Sequence, residues 1–115
     1  VIPILHQWDI VKVRINPEDR DEHPAVLISP EELCGDLRKT KLNVLYGSTR
    51  RPGQPVRPFE VVLNGAEGLD HLTTVDCAYV YGVDRRKMTA VLGRVTPERR
   101  RQIGRTMVAS FRLPL

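Results

Sequence analysis

Residues 9–15 alternate in two registers: Val11, Val13 and Ile15 share one face, while Ile10, Lys12 and Arg14 share the other. A period of two predicts a half-buried strand. Residues 16–23 are polar, open on Asn16-Pro17 and run into Pro24, which predicts a loop that is long for a hairpin. The apolar run 25–28 lies between Pro24 and Pro30 and reads as a buried strand, bracketed there because proline cannot donate to a ladder. Residues 31–41 are mixed, with room for one helical turn after Ser29-Pro30, and a third strand is expected at 42–46. Further strands are predicted at 58–63, stopped by the Asn64-Gly65 turn pair, at 74–81 and at 90–95. Thr96-Pro97-Glu98 has the signs of a helix start: a hydroxyl able to cap free amides, a proline suited to the first position and a carboxylate at the positive end of the dipole. Ile103, Met107 and Phe111 then recur at i, i+4 and i+8, an apolar stripe beside a basic face. Short strands followed by one helix predict a mainly β fold, a small barrel or strongly curved sheet with the helix packed on it.

Composition narrows the setting. At 115 residues the chain is expected to form a single domain, residues 1–115, around one modest hydrophobic core. Apolar residues are 41% and charged residues 28%, which sets the chain apart from disordered sequences. No apolar run approaches the roughly 20 residues of a membrane span, and residues 1–6 lack a basic leader, so a cytoplasmic protein without a membrane partner is expected. Cys34 and Cys77 are far apart and are expected to be reduced, packed thiols. His6, His23 and His71 show no i, i+4 spacing, so no metal site is expected. A net charge of +4 and a pI near 9.4 bring nucleic acid or an acidic protein into view as partners, with a merely solvated charged face as the other reading.

Taken in order, four segments resemble the PemK/MazF family of toxins from bacterial type II toxin–antitoxin systems. Trp8-Asp-Ile-Val-Lys-Val13 is similar to the family's Gly-Asp-Ile-Val-x-Val strand, and His23-Pro-Ala-Val-Leu-Ile-Ser-Pro30 to its Arg-Pro-Ala-Val-Val-Leu-Ser-Pro. Pro58-Phe-Glu-Val-Val-Leu63 resembles the family's fourth strand. Val83-Asp84, then Leu92-Gly-Arg-Val-Thr-Pro-Glu98, resemble the Val-Asp and Ile-Gly-Arg-Leu-Ser-Pro-Glu leading into its terminal helix. The resemblance implies an SH3-like barrel of short antiparallel strands with a C-terminal helix, commonly a homodimer. It also implies an endoribonuclease that cuts single-stranded RNA in the cytoplasm without metal or other cofactor, held inactive by a cognate acidic antitoxin. The family's catalytic arginine falls on His23, and its threonine falls on Gly47, followed at once by Ser48 and Thr49. An Asp-Gln pair of the family falls on Ala78-Tyr79. These departures leave two readings open: a nuclease with His23 in the arginine's place, or a family member that binds RNA or a partner peptide without cutting.

Cutting RNA without a metal takes a base for the 2′-hydroxyl, a cation for the crowded phosphate and an acid for the leaving oxygen. Imidazole exchanges protons near neutrality, so His23 is the candidate acid/base, with Ser48 or Thr49 donating to the phosphate. The plainer reading is that His23 only ends a loop before Pro24. Lys12, Arg14, Arg20, Arg50, Arg51 and Arg57 are the candidate RNA contacts, and Trp8 or Tyr46 a stacking partner for a base. Arg85-Arg86-Lys87 reads equally as a phosphate grip or a solvated turn, and Arg99-Arg100-Arg101 as a solvated run. His6 and His71 are expected on the surface.

Overall fold

The computed structural model describes residues 3–115. Val1 and Ile2, part of the opening stretch read for a leader, lie outside the described residues. The strands are β1 (Asp9–Val13), β2 (His23–Leu27), β3 (Lys41–Thr49), β4 (Glu60–Leu63), β5 (Thr73–Asp76), β6 (Tyr81–Asp84) and β7 (Ala90–Arg94). The α-helices among the described residues are α1 (Glu31–Gly35) and α2 (Pro97–Phe111), with short 3-10 turns at Gly65–Glu67 and Arg85–Lys87. The sheet is antiparallel in the order β4-β5-β3-β2-β1-β7, with β6 also paired to β3.

The nine-residue β3 organises the curl. One edge carries β2, with Ala25 opposite Tyr46, while the other carries first β6, with Val44 opposite Tyr81, and then β5, with Ser48 opposite Thr74. The single strand expected at 74–81 is therefore two strands. The break follows from local hydrogen bonding: Asp76 Oδ1 accepts from the Ala78 amide at 3.0 Å and the Cys77 amide donates to the Phe59 carbonyl at 2.9 Å, which turns the chain off the ladder. Pro24 lies inside β2 rather than before it, at an end where pairing with β3 has not yet begun.

The curl brings the turn after β4 against β7. A Cβ on Gly93 would lie 1.9 Å from the Glu67 carbonyl oxygen, so only glycine fits this contact. The result is a mainly β half-barrel with a C-terminal helix, the fold class expected.

In place of the one core expected, two clusters form, because both faces of the sheet are covered and successive strand residues point to opposite sides. Val11, Val13, Ala25, Leu27, Leu42, Val44 and Val83 pack with Leu5, Cys34 and Met88 on one face. Ile10, Val26, Leu45, Val61, Leu63 and Val75 pack with Cys77, Val95 and Ile103 on the other. Cys34 and Cys77 are free, buried thiols, as expected, and burial pushes the Cys77 thiol up to about 12. Of the helix stripe, Ile103 is buried and Met107 partly so, but Phe111 is exposed.

The helix begins where expected but by another device. Thr96 makes no side-chain cap; instead the buried carboxylate of Glu67 accepts from the Thr96 amide at 3.3 Å and from the Asn64 amide at 3.1 Å. Pro97 at the first position has no amide to satisfy. His6 is exposed, and its ring meets the Glu31 carboxylate across 25 positions of sequence.

Candidate active site

His23 opens β2, and the register carries β3 past it. Gly47 lies against the Pro24 carbonyl, where an added Cβ would come within 2.7 Å, and continuing the β2–β3 register past Ala25–Tyr46 sets Ser48 across from His23. By strand alternation Tyr46, Ser48 and Thr74 share the face of His23 and Ala25, at the open end of the first core cluster. Thr49 points the other way, into a separate cleft of about 200 Å³ with Pro24, Thr73, Asp70 and His71. The two hydroxyls weighed as equals in the sequence are thus on opposite faces of the sheet, and Ser48 alone accompanies His23.

The environment of His23 is built from the loop before it and the strand beside it. Asn16 nucleates the loop: its Oδ1 accepts from the Glu18 amide and its carbonyl from the Asp19 amide, both at 3.0 Å. Asp19 Oδ2 then lies 3.9 Å from His23 Nε2, an ion-pair distance longer than a direct hydrogen bond. The His23 ring rests on Tyr46, centroids 5.1 Å apart and tilted by 45°, and Tyr46 meets Tyr81 edge-on at 6.4 Å. Burial, with the Asp19 charge and Tyr81 adding to it, pushes the Tyr46 phenol up, so it stays a neutral hydroxyl. His23 is half-buried on these contacts.

The basic candidates separate. Arg50 reaches the site: its guanidinium donates to Thr74 Oγ1 at 3.3 Å, on the strand opposite Ser48, and to the Gln54 carbonyl. Arg51 and Arg57 are exposed in the loop between β3 and β4. Lys12 is exposed on β1 opposite Pro24, and Arg20 is exposed in the loop before β2. Arg14 donates to the Arg20 carbonyl at 3.0 Å and lines a different cleft of about 460 Å³ with Pro17, Glu22, Lys87 and Thr89. Trp8 is no stacking platform for this face. It packs against the second cluster, on a left-handed backbone (φ 75°) where the resembling family segment has glycine.

Arg85 is neither solvated nor free to grip a phosphate. It is 3% exposed, and its guanidinium donates to the carbonyls of Lys39, Cys34, Leu33 and Asp36 at 2.8–3.1 Å. Arg86 is engaged by Asp84 at 2.8 Å. Nothing in composition separates these from Arg50. Among the described residues no group of three His, Cys, Asp or Glu side chains is placed to hold a metal ion.

The PemK-like, MazF-like toxins of type II toxin-antitoxin systems match the chain over residues 6–111, nearly its whole length. The chain belongs to this family. Solved structures agree in fold. An endoribonuclease from a mycobacterial species superposes with a TM-score of 0.76 at 14% identity, covering 99% of this chain and 97% of that one. The Mycobacterium tuberculosis toxin MazF-mt6 gives 0.73 at 16% identity over 93% and 99%. MazF in a MazE-MazF structure from Deinococcus radiodurans gives 0.74 at 17% identity over 97% and 100%. No curated protein matches by sequence. No helix among the described residues is long and apolar enough to cross a membrane. Asp19, Thr74 and Tyr81 are residues of the candidate site that sequence reasoning missed; for Tyr81 the signal was its position two residues before Val83-Asp84, which the strand expected at 74–81 obscured.

Proposed function

We propose that this toxin is an endoribonuclease that cuts single-stranded RNA at the His23 face, without a metal. The observation that carries this reading is the placement of His23, Ser48 and Arg50 on one face, beside an open cleft. His23 removes the proton from a ribose 2′-hydroxyl, or returns one to the departing 5′-oxygen. Ser48 donates a hydrogen bond to a non-bridging phosphate oxygen, and Arg50 places its positive charge near the same group. Attack of the 2′-oxygen on phosphorus breaks the bond to the 5′-oxygen, leaving a cyclic phosphate on one product and a 5′-hydroxyl on the other. Asp19, 3.9 Å from His23 Nε2, is placed to orient the imidazole.

Residues 1–115 act as one such unit, in the cytoplasm. An endoribonuclease of similar fold is known in complex with its cognate antitoxin, and a net charge of +4 suits this chain to an acidic one. A homodimer is supported by β7, which among the described residues pairs only with β1 and exposes Val91 and Leu92.

Incubation of the purified protein with a long single-stranded RNA in chelator, followed by mapping of 5′-hydroxyl ends, tests the reading. Site-specific ends are expected, with His23→Ala about 10² to 10⁴ times slower. Equal rates for the two proteins remove His23 from the chemistry, and RNA retention without new ends removes the nuclease.

A further inference from the structure

Beyond His23 the same face opens into a cleft of about 490 Å³, lined by Ile15, Asn16, Pro17, Asp19, Tyr46 and Tyr81. That volume lies within the range of small-ligand sites and leaves room for a base with its sugar. Its two sides differ in chemistry. Tyr46 and Tyr81 stand on neighbouring strands, and their edge-to-face contact (6.4 Å, 61°) leaves aromatic surface turned outward, Tyr81 being 39% exposed. The opposite side is the Asn16–Asp19 turn, made rigid by its two hydrogen bonds. The acidic group on this lining is Asp19, and Tyr46 touches both His23 and Tyr81, so the cleft is continuous with the candidate acid/base.

A carboxylate is poorly placed to meet an RNA phosphate, because like charges repel. It is well placed to accept hydrogen bonds from a base edge, as Asp and Glu do from an exocyclic amine. Aromatic faces add stacking that is indifferent to which base is present. We propose that the Tyr46–Tyr81–Asp19 cleft is a base-reading pocket for a nucleotide flanking the cut. Tyr81 supplies the stacking surface, and Asp19 selects bases that carry an exocyclic amine (adenine, cytosine or guanine) over uracil, which has none. Uracil presents a carbonyl where adenine and cytosine present the amine, and its one donor, N3–H, is flanked by two carbonyl oxygens that repel the carboxylate. This rests on the reading of the His23 face as the RNA face, but assigns it a preference that neither the fold nor the cleavage chemistry dictates.

Fluorescein-labelled 2′-O-methyl heptanucleotides of A, C or U test the pocket by anisotropy, since blocking the 2′-oxygen prevents cutting. The wild-type protein is expected to bind the A and C oligomers about tenfold more tightly than U. Asp19→Ala is expected to shrink that gap to about twofold, a change a purely orienting role on His23 does not produce. Tyr81→Ala is expected to weaken all three by about five- to tenfold, while Tyr81→Phe, which keeps the ring, stays within about twofold of wild type. Equal wild-type affinities, a gap that survives Asp19→Ala, or wild-type binding by Tyr81→Ala overturns the proposal. Mapping cuts in a long RNA in parallel separates the two readings. Absent cuts with an Asp19-dependent gap sink the nuclease and keep the pocket, whereas normal cuts with unchanged oligomer binding in the variants do the reverse.

Discussion

Two arginine-rich segments of similar composition have opposite fates. Arg85, in the turn after β6, is buried and spends its donors on four carbonyls around the end of α1. Arg50, Arg51 and Arg57, in the segment after β3, bound or lie within an exposed loop, and Arg50 alone is drawn onto the candidate site through Thr74. The difference lies in what surrounds each guanidinium. The carbonyls around the end of α1 have few backbone donors, Leu33 and Asp36 accepting one amide each, from Asp36 and Lys39, and a planar five-donor group supplies further bonds to several at once. A proline- and glycine-interrupted loop offers no such cage, so its charges stay available to a ligand.

The largest expected effect tests the structural half of this contrast. Arg85→Met should lower stability by about 3–5 kcal/mol, because four carbonyls lose a charge-assisted donor, and chemical denaturation measures it. Arg85→Lys should recover little, since an ammonium cannot span the same acceptors. Tolerance of either change would erase the distinction between the two segments. Glu67 extends the same logic to a buried anion. Glu67→Ala strips acceptors from the Asn64 and Thr96 amides and should cost about 2–3 kcal/mol by the same measurement.

Smaller effects sharpen the functional half. Replacing Arg50 and Arg51 together with alanine should leave stability within about 0.5 kcal/mol. It should weaken single-stranded RNA binding about tenfold and flatten the log–log salt slope by about 1.4, for two lost phosphate contacts. Unchanged affinity and slope would return this loop to the class of solvated turns. Smallest is Arg86, whose guanidinium holds the Asp84 carboxyl down at about 2. A depressed folded value means that the pair's contribution is present above the ordinary 3.8 and lost as pH falls through about 2. Arg86→Gln should move the Asp84 titration, read by NMR, back toward its ordinary value with no resolvable change in Tm.

Local pattern made much of the fold legible. The alternation at 9–15, the apolar run after Pro24 and the Thr96-Pro97-Glu98 start all correspond to β1, β2 and α2, because each follows from side-chain periodicity or backbone restriction within a few residues. The split of 74–81 into β5 and β6 was not legible, since it depends on Phe59 and on the two partners that β3 offers along one edge. Half of the candidate site was readable too. His23 was found by its place in the segment that resembles the family's Arg-Pro-Ala motif, but the choice of Ser48 over Thr49 needed the register that sets Gly47 against the Pro24 carbonyl.

By itself, the sequence determined the family, most of the strands along the chain and the terminal helix, and the identity of the groups able to do acid–base or phosphate chemistry. These are properties of short segments and of side-chain types. Tertiary structure alone decided which arginine is caged and which is open, which hydroxyl accompanies His23, and that Tyr46, Tyr81 and Asp19 wall one cleft. Each of those depends on contacts between residues far apart in the chain, set by strand register and sheet curl. A one-residue change of register would carry every side chain to the other face.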